Sequence, residues 1–309
     1  MAAPSTPRSV VVGEALVDVV HRAGGGPAAE HPGGSPLNVA HGLGRLGHDV
    51  ALLTRLGDDA HGRLLRGHLD AGGVRLLPGA VDGDPTSVAR AEIDAEGKAT
   101  YEFDLVWRLP EVALPPDVAL VHTGSIGAAV DPGARTALEV LRSVRGRATT
   151  SYDPNVRPAF FTSPAAALAR VEEFVAAADV VKASDEDLDW LLPGEDVEAV
   201  ARRWQALGPA LVVVTRGSRG AVAVSGAGTL HVPAPRVDVV DTVGAGDAFM
   251  SGLLHALAEH DLLGAAALPR LRHLDLRTFE ALVGTAIRSA SITCSRAGAN
   301  PPTRAELDG

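Results

Sequence analysis

The chain has 309 residues, 46% of them hydrophobic, and a formal net charge of −10. It can therefore bury a large core, but it has no overall basic field that would gather nucleic acid. Its single cysteine, Cys294, excludes an internal disulfide, and the sequence contains neither a secretory signal nor an apolar run of about 18 residues, so we expect a cytoplasmic globular protein without a membrane partner.

The N-terminal part alternates strand-like and helix-like segments. The run "SVVVGEALVDVV" (Ser9–Val20) is β-branched and apolar, which predicts one buried strand. After a loop rich in glycine and proline, Ser35 is the expected N-cap of a helix and Pro36 fits its first position. The next strand, "DVALLTRLG", is followed by a helix whose expected cap is Asp58 or Asp59.

The segment from Thr86 to Trp107 interrupts this alternation. Two runs with period-two patterning flank the turn "AEGK", which predicts a β-hairpin outside the main sheet. Tyr101 and Phe103 share one face of the second strand. Two interpretations of these aromatic residues stay open: a small core beneath the hairpin, or contact with a substrate.

Strand and helix alternation resumes after the hairpin and continues to a short second hairpin around Ala221 to Val232, with two helices closing the chain. Repeated βα units predict a mostly parallel sheet with helices on both faces, which is a three-layer α/β/α fold in a single domain over residues 1–309. We expect a small β-sheet lid from about 13–36 and 84–107. Functional residues in such sheets collect beyond the carboxyl ends of the strands.

The stretch "DTVGAGDAF" places Gly244, Ala245 and Gly246 between a predicted strand ("RVDVV") and a predicted helix. Small residues at a helix start leave amide N–H groups open to an anion, which the helix dipole also favours. Asp247 would lie beside that anion, an arrangement suited to phosphoryl transfer: the carboxylate accepts the proton of an attacking alcohol and the amides stabilise the transferring group. The alternative is a tight turn in which Asp247 only complements the dipole.

Other nucleotide motifs are excluded by their context. The string "GLGRLG" (Gly42 to Gly47) has the Rossmann spacing but lies in the second half of a predicted helix instead of following a strand. Lys98 and Lys182 are both followed by alanine, so the sequence has no Walker A loop. The eleven histidines show no convincing metal-binding spacing.

A group of motifs resembles the ribokinase-like (PfkB) carbohydrate kinases, and within them the fructokinases. The motifs are "GGSPLNVAHGLGRLG" with "LLTRLGDDAHGR", "YDPNVRP", "VVKASDEDL", "VVVTRGSRGA" and "DTVGAGDAF", and together they span nearly the whole chain. The resemblance implies that Asp247 is the base, that Gly244, Ala245 and Gly246 form the anion hole, and that ATP phosphorylates a small sugar.

The same resemblance assigns a sugar site, a nucleotide site and cation sites. Asp18, Gly34 and Asn38 would hold sugar hydroxyls, and the full set of candidate substrate-binding residues is Asp18, Gly33, Gly34, Asn38, Tyr101, Phe103, Asn155 and Arg157. The candidate nucleotide-binding residues are Lys182, Thr215, Gly217, Gly220, Gly244 and Gly246. Asp185 or Glu186 would hold Mg²⁺ through water, and the backbone of Asp241 and Val243 would hold a monovalent cation such as K⁺.

Lys182, where ribokinases commonly have asparagine, and "GGSPLN" favour fructose as the acceptor, phosphorylated on a primary hydroxyl. One alternative acceptor is 2-keto-3-deoxygluconate, whose carboxylate would need a cation such as Arg157. Ribose or a nucleoside is another. A catalytically inactive sugar-binding regulator on the same fold is the alternative from a different class, and the lid is a candidate surface for a homodimer.

Overall fold

A computed structural model describes residues 8–22, 27–94 and 99–309 of the chain. The side chain of Tyr101 lies outside this description, and so does the turn "AEGK" at 95–98. The described strands are β1 (Ser9–Val12), β2 (Leu16–Arg22), β3 (Ala29–Gly33), β4 (Val50–Leu53), β5 (Leu56–Gly57), β6 (Arg75–Leu76), β7 (Val81–Asp82), β8 (Val88–Ile93), β9 (Ala99–Asp104), β10 (Leu120–Gly124), β11 (Thr149–Asp153), β12 (Val180–Ser184), β13 (Leu211–Thr215), β14 (Ala221–Ser225) and β15 (Gly228–Val232).

The α-helices of the described residues surround these strands. They are α1 (Ser35–Arg45), α2 (Ala60–Ala71), α3 (Ser125–Ala129), α4 (Gly133–Val144), α5 (Pro164–Ala177), α6 (Asp185–Leu191), α7 (Val197–Ala206), α8 (Ala245–Glu259), α9 (Leu268–Arg272), α10 (Leu276–Cys294) and α11 (Arg304–Asp308). None of them has both the length and the apolar run that a membrane crossing needs.

The central sheet has the strand order β15-β14-β13-β12-β11-β10-β1-β4-β6 within the described residues. Its pairs are parallel except at the β13-β14-β15 end, where the predicted second hairpin is antiparallel. Successive side chains of β1 enter opposite cores: Val11 packs with α1, α8 and α10, whereas Val10 and Val12 pack with α4, α5 and α7. The predicted three-layer α/β/α fold is confirmed.

A smaller sheet with the order β3-β2-β8-β9 lies apart from the central sheet. The predicted hairpin is its antiparallel β8-β9 pair, and β2 lies parallel to β8. The prediction of one strand over Ser9–Val20 is wrong, because the chain leaves the central sheet after Val12 and enters the small sheet at Leu16. At the crossing, the Glu14 carboxylate accepts a hydrogen bond from the Gly127 N–H of α3.

Two predictions for the C-terminal part are also wrong. The run "RVDVV" (236–240) is not a strand, because the N–H groups of Val240 and Asp241 donate to the carbonyl of Cys294 on α10 at 2.9 and 3.2 Å instead of joining a sheet. Four described α-helices, rather than two, follow the second hairpin, since the short α9 and α11 accompany the long α8 and α10.

Candidate active site

Asp247 lies in the first turn of α8 with its carboxylate buried against α1. The Ser35 hydroxyl donates to Asp247 Oδ1 at 2.6 Å, and Asn38 Nδ2 donates to Oδ2 at 2.8 Å. The N-cap of α1 is therefore Gly34 and not Ser35 as predicted, because the Ser35 hydroxyl bonds to Asp247. The carboxylate is thus held in one orientation from both of its oxygens.

Electrostatics also suit Asp247 to proton transfer. Burial raises its pKa above the usual range, while the hydrogen bonds from Ser35 and Asn38 and the charges of Lys182 and Arg157 work in the opposite direction. A carboxylate with a raised pKa is a stronger base than an exposed one, which is the property that general-base catalysis near neutral pH requires.

The start of α8 has the form of an anion site. Gly244 is the N-cap in a left-handed conformation (φ 73°), which is costly for residues with a Cβ. A Cβ on Gly246 would come within 2.9 Å of the Lys182 ammonium nitrogen. The Ala245 N–H already donates to the Thr242 carbonyl at 3.2 Å. The loop therefore brings the N–H groups of Gly244 and Gly246 and a lysine cation to the same place, where a phosphoryl group would meet both.

Lys182 in the middle of β12 and Asp153 at the carboxyl end of β11 form a buried ion pair, with 2.9 Å between Nζ and Oδ2. Burial raises the pKa of Asp153 to about 6, against the effect of the Lys182 charge. Burial alone would lower the pKa of Lys182, but the carboxylates of Asp153 and Asp187 outweigh burial and raise it. Lys182 therefore keeps its positive charge at neutral pH.

The predicted sugar-binding residues on the small sheet lie close together. Asp18 on β2 occupies the space beside Gly33, since a Cβ on Gly33 would collide with the Asp18 carboxylate. Burial raises the pKa of Asp18, and the charges of His31 and Arg157 oppose that rise. Gly33 thus makes room for Asp18 and does not itself line the cleft described below.

Asn155 and Arg157 follow β11 at its carboxyl end. Asn155 has a positive φ of 34°, unusual for a residue with a side chain and typical of functional sites. Its side-chain oxygen accepts a hydrogen bond from Arg157 Nη1 at 2.7 Å. Phe103 packs edge-on against Phe160 with 4.9 Å between ring centroids, as the interpretation of a small core beneath the hairpin predicts. It also lines the cleft, and contact with a substrate stays a prediction.

One cleft of about 2010 Å³ joins these groups. The predicted residues that line it are Asp18, Gly34, Asn38, Phe103, Asn155, Arg157, Lys182, Asp185, Glu186, Thr215, Gly217, Gly220, Asp241, Val243, Gly244, Ala245, Gly246 and Asp247. The sugar-site candidates lie at its small-sheet end and the nucleotide-site candidates at the end formed by β13 and the 241–246 loop.

The candidate cation ligands differ in their surroundings. Asp185 pairs with Arg219, whereas Glu186 lines the cleft and no ion pair involving it occurs within the described ranges. Asp241 accepts hydrogen bonds from the N–H groups of Val243 at 3.0 Å and Gly298 at 2.9 Å, joining two loops. The described residues contain no group of three or more His, Cys, Asp or Glu able to hold a metal by themselves, so Mg²⁺ would need phosphate oxygens and water as further ligands.

The fold and the site together define a class of enzyme. One cleft beside the small sheet contains a buried carboxylate, an amide loop at a helix start and a lysine cation. These are the groups that phosphoryl transfer to an alcohol requires. The chain belongs to the pfkB family carbohydrate kinases, whose family model matches residues 6–306. It is an ATP-dependent carbohydrate kinase.

Individual relatives agree with this assignment. A fructokinase of Rhizobium leguminosarum bv. trifolii is 37% identical over 261 residues, which cover 81% of this chain and 80% of the relative. The crystal structure of the Xylella fastidiosa fructokinase with bound ATP matches with a TM-score of 0.85 at 26% identity and covers 97% of each chain. A double mutant of the Vibrio cholerae O395 fructokinase, with fructose, ADP and potassium ion bound, matches with a TM-score of 0.75 at 26% identity over 98% of each chain.

Proposed function

We propose that this chain transfers the γ-phosphoryl group of ATP to a primary hydroxyl of fructose. The observation that carries the proposal is the position of Asp247, which lies in the same cleft as the anion loop on one side and Asp18 and Asn38 on the other. Relatives that are fructokinases support fructose as the acceptor.

Each part of the site has a separate task in this reaction. Asp247 accepts the proton of the sugar hydroxyl while Asn38 and Ser35 hold its carboxylate in place. The amides of Gly244 and Gly246, with the Lys182 ammonium nearby, stabilise negative charge on the transferring group, and the Ala245 N–H does so once it turns from the Thr242 carbonyl. Asp18 and Arg157 orient the sugar.

Cations would complete the site. Mg²⁺ would neutralise charge on the phosphates, and Glu186 suits it better than Asp185, whose carboxylate is already paired with Arg219. The backbone of Asp241 and Val243 is the proposed place for a monovalent cation, which the potassium ion of the Vibrio cholerae relative supports. The cytoplasmic location and a homodimer formed through the small sheet stay predictions.

Acceptor preference tests the proposed function. We expect kcat/KM with ATP to be higher for fructose than for ribose, adenosine or 2-keto-3-deoxygluconate, because Lys182 and "GGSPLN" match the fructokinase pattern. A coupled assay of ADP formation on all four acceptors measures it, with ATP alone as the blank. If kcat/KM for the keto acid exceeds that for fructose by about tenfold or more, the acceptor is the acidic sugar and the kinase activity still stands. If the enzyme turns over none of the four acceptors, the proposal is contradicted.

The small sheet is expected to act as a lid formed by about 13–36 and 84–107, within what we propose is a single domain over 1–309. Saturating sugar should slow backbone hydrogen exchange in these two ranges, because closure over the acceptor excludes water that would otherwise hydrolyse ATP. Peptides from the β14-β15 hairpin, in the central sheet, are the internal reference. Equal exchange with and without sugar in the two lid ranges would contradict a closing motion.

A further inference from the structure

Glu14 has a buried carboxyl group that has no role in the proposed phosphoryl transfer. It lies in the connection between β1 of the central sheet and β2 of the small sheet, just beyond the carboxyl end of β1. It is 2% exposed and lines the cleft. A charged side chain so deeply buried is costly unless hydrogen bonds satisfy it, so its partners decide what it does.

The two carboxylate oxygens of Glu14 differ in their partners. Glu14 Oε2 accepts a hydrogen bond from the Gly127 N–H at 2.6 Å. Oε1 is shielded from solvent and has no hydrogen-bond partner among the described residues. Burial raises the pKa of Glu14 to about 7, while the Gly127 N–H, the nearby Glu14 N–H and Ser125 hydroxyl, and the charge of Arg157 oppose that rise. The part of the chain that the structure describes therefore leaves this acceptor incompletely satisfied.

The surroundings place Glu14 at the sugar end of the cleft. The charge of Arg157 lowers the pKa of Glu14, of Asp18 and of Asp247, and all four residues line the cleft. The backbone carbonyl of Glu14 lies against Gly34, where an added Cβ would come within 2.7 Å of it. Glu14 is thus adjacent to residues already proposed to hold the sugar.

We propose that Glu14 is a specificity-determining residue of the acceptor site, and that its Oε1 accepts a hydrogen bond from a sugar hydroxyl other than the one that is phosphorylated. The inference rests on the proposed function in one respect, namely that the acceptor is a polyhydroxy compound bound at this end of the cleft. A hydroxyl supplies the donor that Oε1 lacks, and a hydrogen bond to a charged group is among the stronger kinds.

The same contact links the sugar to the small sheet. Gly127 uses both of its backbone groups there: its N–H donates to Glu14, and its carbonyl accepts from Trp107 Nε1 at 3.2 Å. Glu14 precedes β2 and Trp107 follows β9, so one residue of α3 contacts two of the segments that connect the small sheet to the rest of the chain. Because Oε1 is shielded here, a hydroxyl reaches it when a neighbouring residue of the small sheet moves aside.

The test combines Glu14→Gln with monodeoxy analogues of the best of the four acceptors. In the Glu14→Gln variant the side-chain oxygen can still accept from Gly127, but the charge is lost and the second position becomes an amide donor. We expect kcat/KM for the parent sugar to fall about 10- to 100-fold, mainly through KM for the sugar, with KM for ATP within about twofold. With the parent enzyme, kcat/KM for one deoxy analogue should be lower than that for the parent sugar by a similar factor. For this analogue, Glu14→Gln should lower kcat/KM little further.

Trp107→Phe is the matched control, because it removes the other side-chain hydrogen bond to Gly127 and leaves Glu14 in place. It should lower kcat/KM for all the deoxy analogues and the parent sugar by the same factor. Thermal unfolding checks that each variant is folded, and Glu14→Ala repeats the comparison without a new donor. If both Glu14 variants lower kcat/KM by the same factor for the parent sugar and for every analogue, Glu14 is only a structural link to Gly127 and the inference is wrong. The same conclusion follows if KM for the sugar is unchanged in folded Glu14→Gln. If the parent enzyme turns over none of the acceptors, the proposed function has failed. The inference is then tested by calorimetry, which compares fructose binding by the parent and Glu14→Gln proteins.

Discussion

Asp247→Asn is expected to lower kcat by about 10²- to 10⁴-fold, the range for a lost general base, with the fold and the sugar affinity nearly intact. Asparagine keeps the shape of the side chain, and its carbonyl oxygen can still accept a hydrogen bond from Ser35 or Asn38. It cannot accept the proton of the sugar hydroxyl. Steady-state kinetics with saturating ATP, together with sugar binding by calorimetry, separate turnover from affinity.

A matched control for Asp247→Asn is Asp275→Asn at the start of α10. Asp275 is the N-cap of that helix and accepts from the Thr278 N–H at 2.9 Å, so the control removes a carboxylate charge from a helix start away from the cleft. It should cost about 0.3 to 1 kcal/mol of stability and leave turnover unchanged. If folded Asp247→Asn behaves in the same way, with turnover within about threefold of the parent, Asp247 only complements the helix dipole.

Lys182→Met is expected to reduce both stability and catalysis. Removing one partner of a buried ion pair typically costs about 3 to 5 kcal/mol, because the other charge is left uncompensated, and here that charge is Asp153. Loss of the cation beside the anion loop should also lower kcat/KM for ATP by about 10- to 100-fold. Urea unfolding and initial rates at varied ATP concentration measure the two effects.

The double variant Lys182→Met with Asp153→Asn separates these effects. Asparagine removes the uncompensated carboxylate, so most of the lost stability should return. Turnover should stay low, because the ammonium beside Gly246 is still missing. Recovery of turnover together with stability would show that Lys182 acts only by neutralising Asp153.

Sequence patterns predicted the central sheet well because its strands are apolar runs separated by helices with clear apolar faces. They failed where two neighbouring segments share the same chemistry. The β1 and β2 segments are both β-branched and apolar, so their separation into different sheets depends on tertiary contacts, such as that between Glu14 and Gly127, which no local pattern contains. Likewise "RVDVV" has strand-forming residues but bonds to the end of α10.

Part of the candidate active site could be predicted from the sequence because it lies in one short string, "DTVGAGDAF". The residues that contact this string could not be predicted in the same way. The Ser35 hydroxyl looked like a helix cap, and only the packing of α1 against α8 shows that it bonds to Asp247. Asp153 left a usable signal, since it ends a buried strand of the predicted parallel sheet, where site residues collect. Glu14 left none of this kind, because it lay inside the single strand predicted over Ser9–Val20. The pairing of Asp153 with Lys182 needed the order of β11 and β12.

The contact between Ser35 and Asp247 also has a consequence for how the enzyme matures. The two residues are 212 positions apart in the chain, and contacts of such long range carry a high loop-closure cost and tend to form late in folding. A nascent chain that ends before α8 lacks Asp247, which is the proposed base, and most of the proposed amide loop. Forms in which α8 has not yet docked on α1 therefore lack the complete proposed site, and we expect them not to consume ATP.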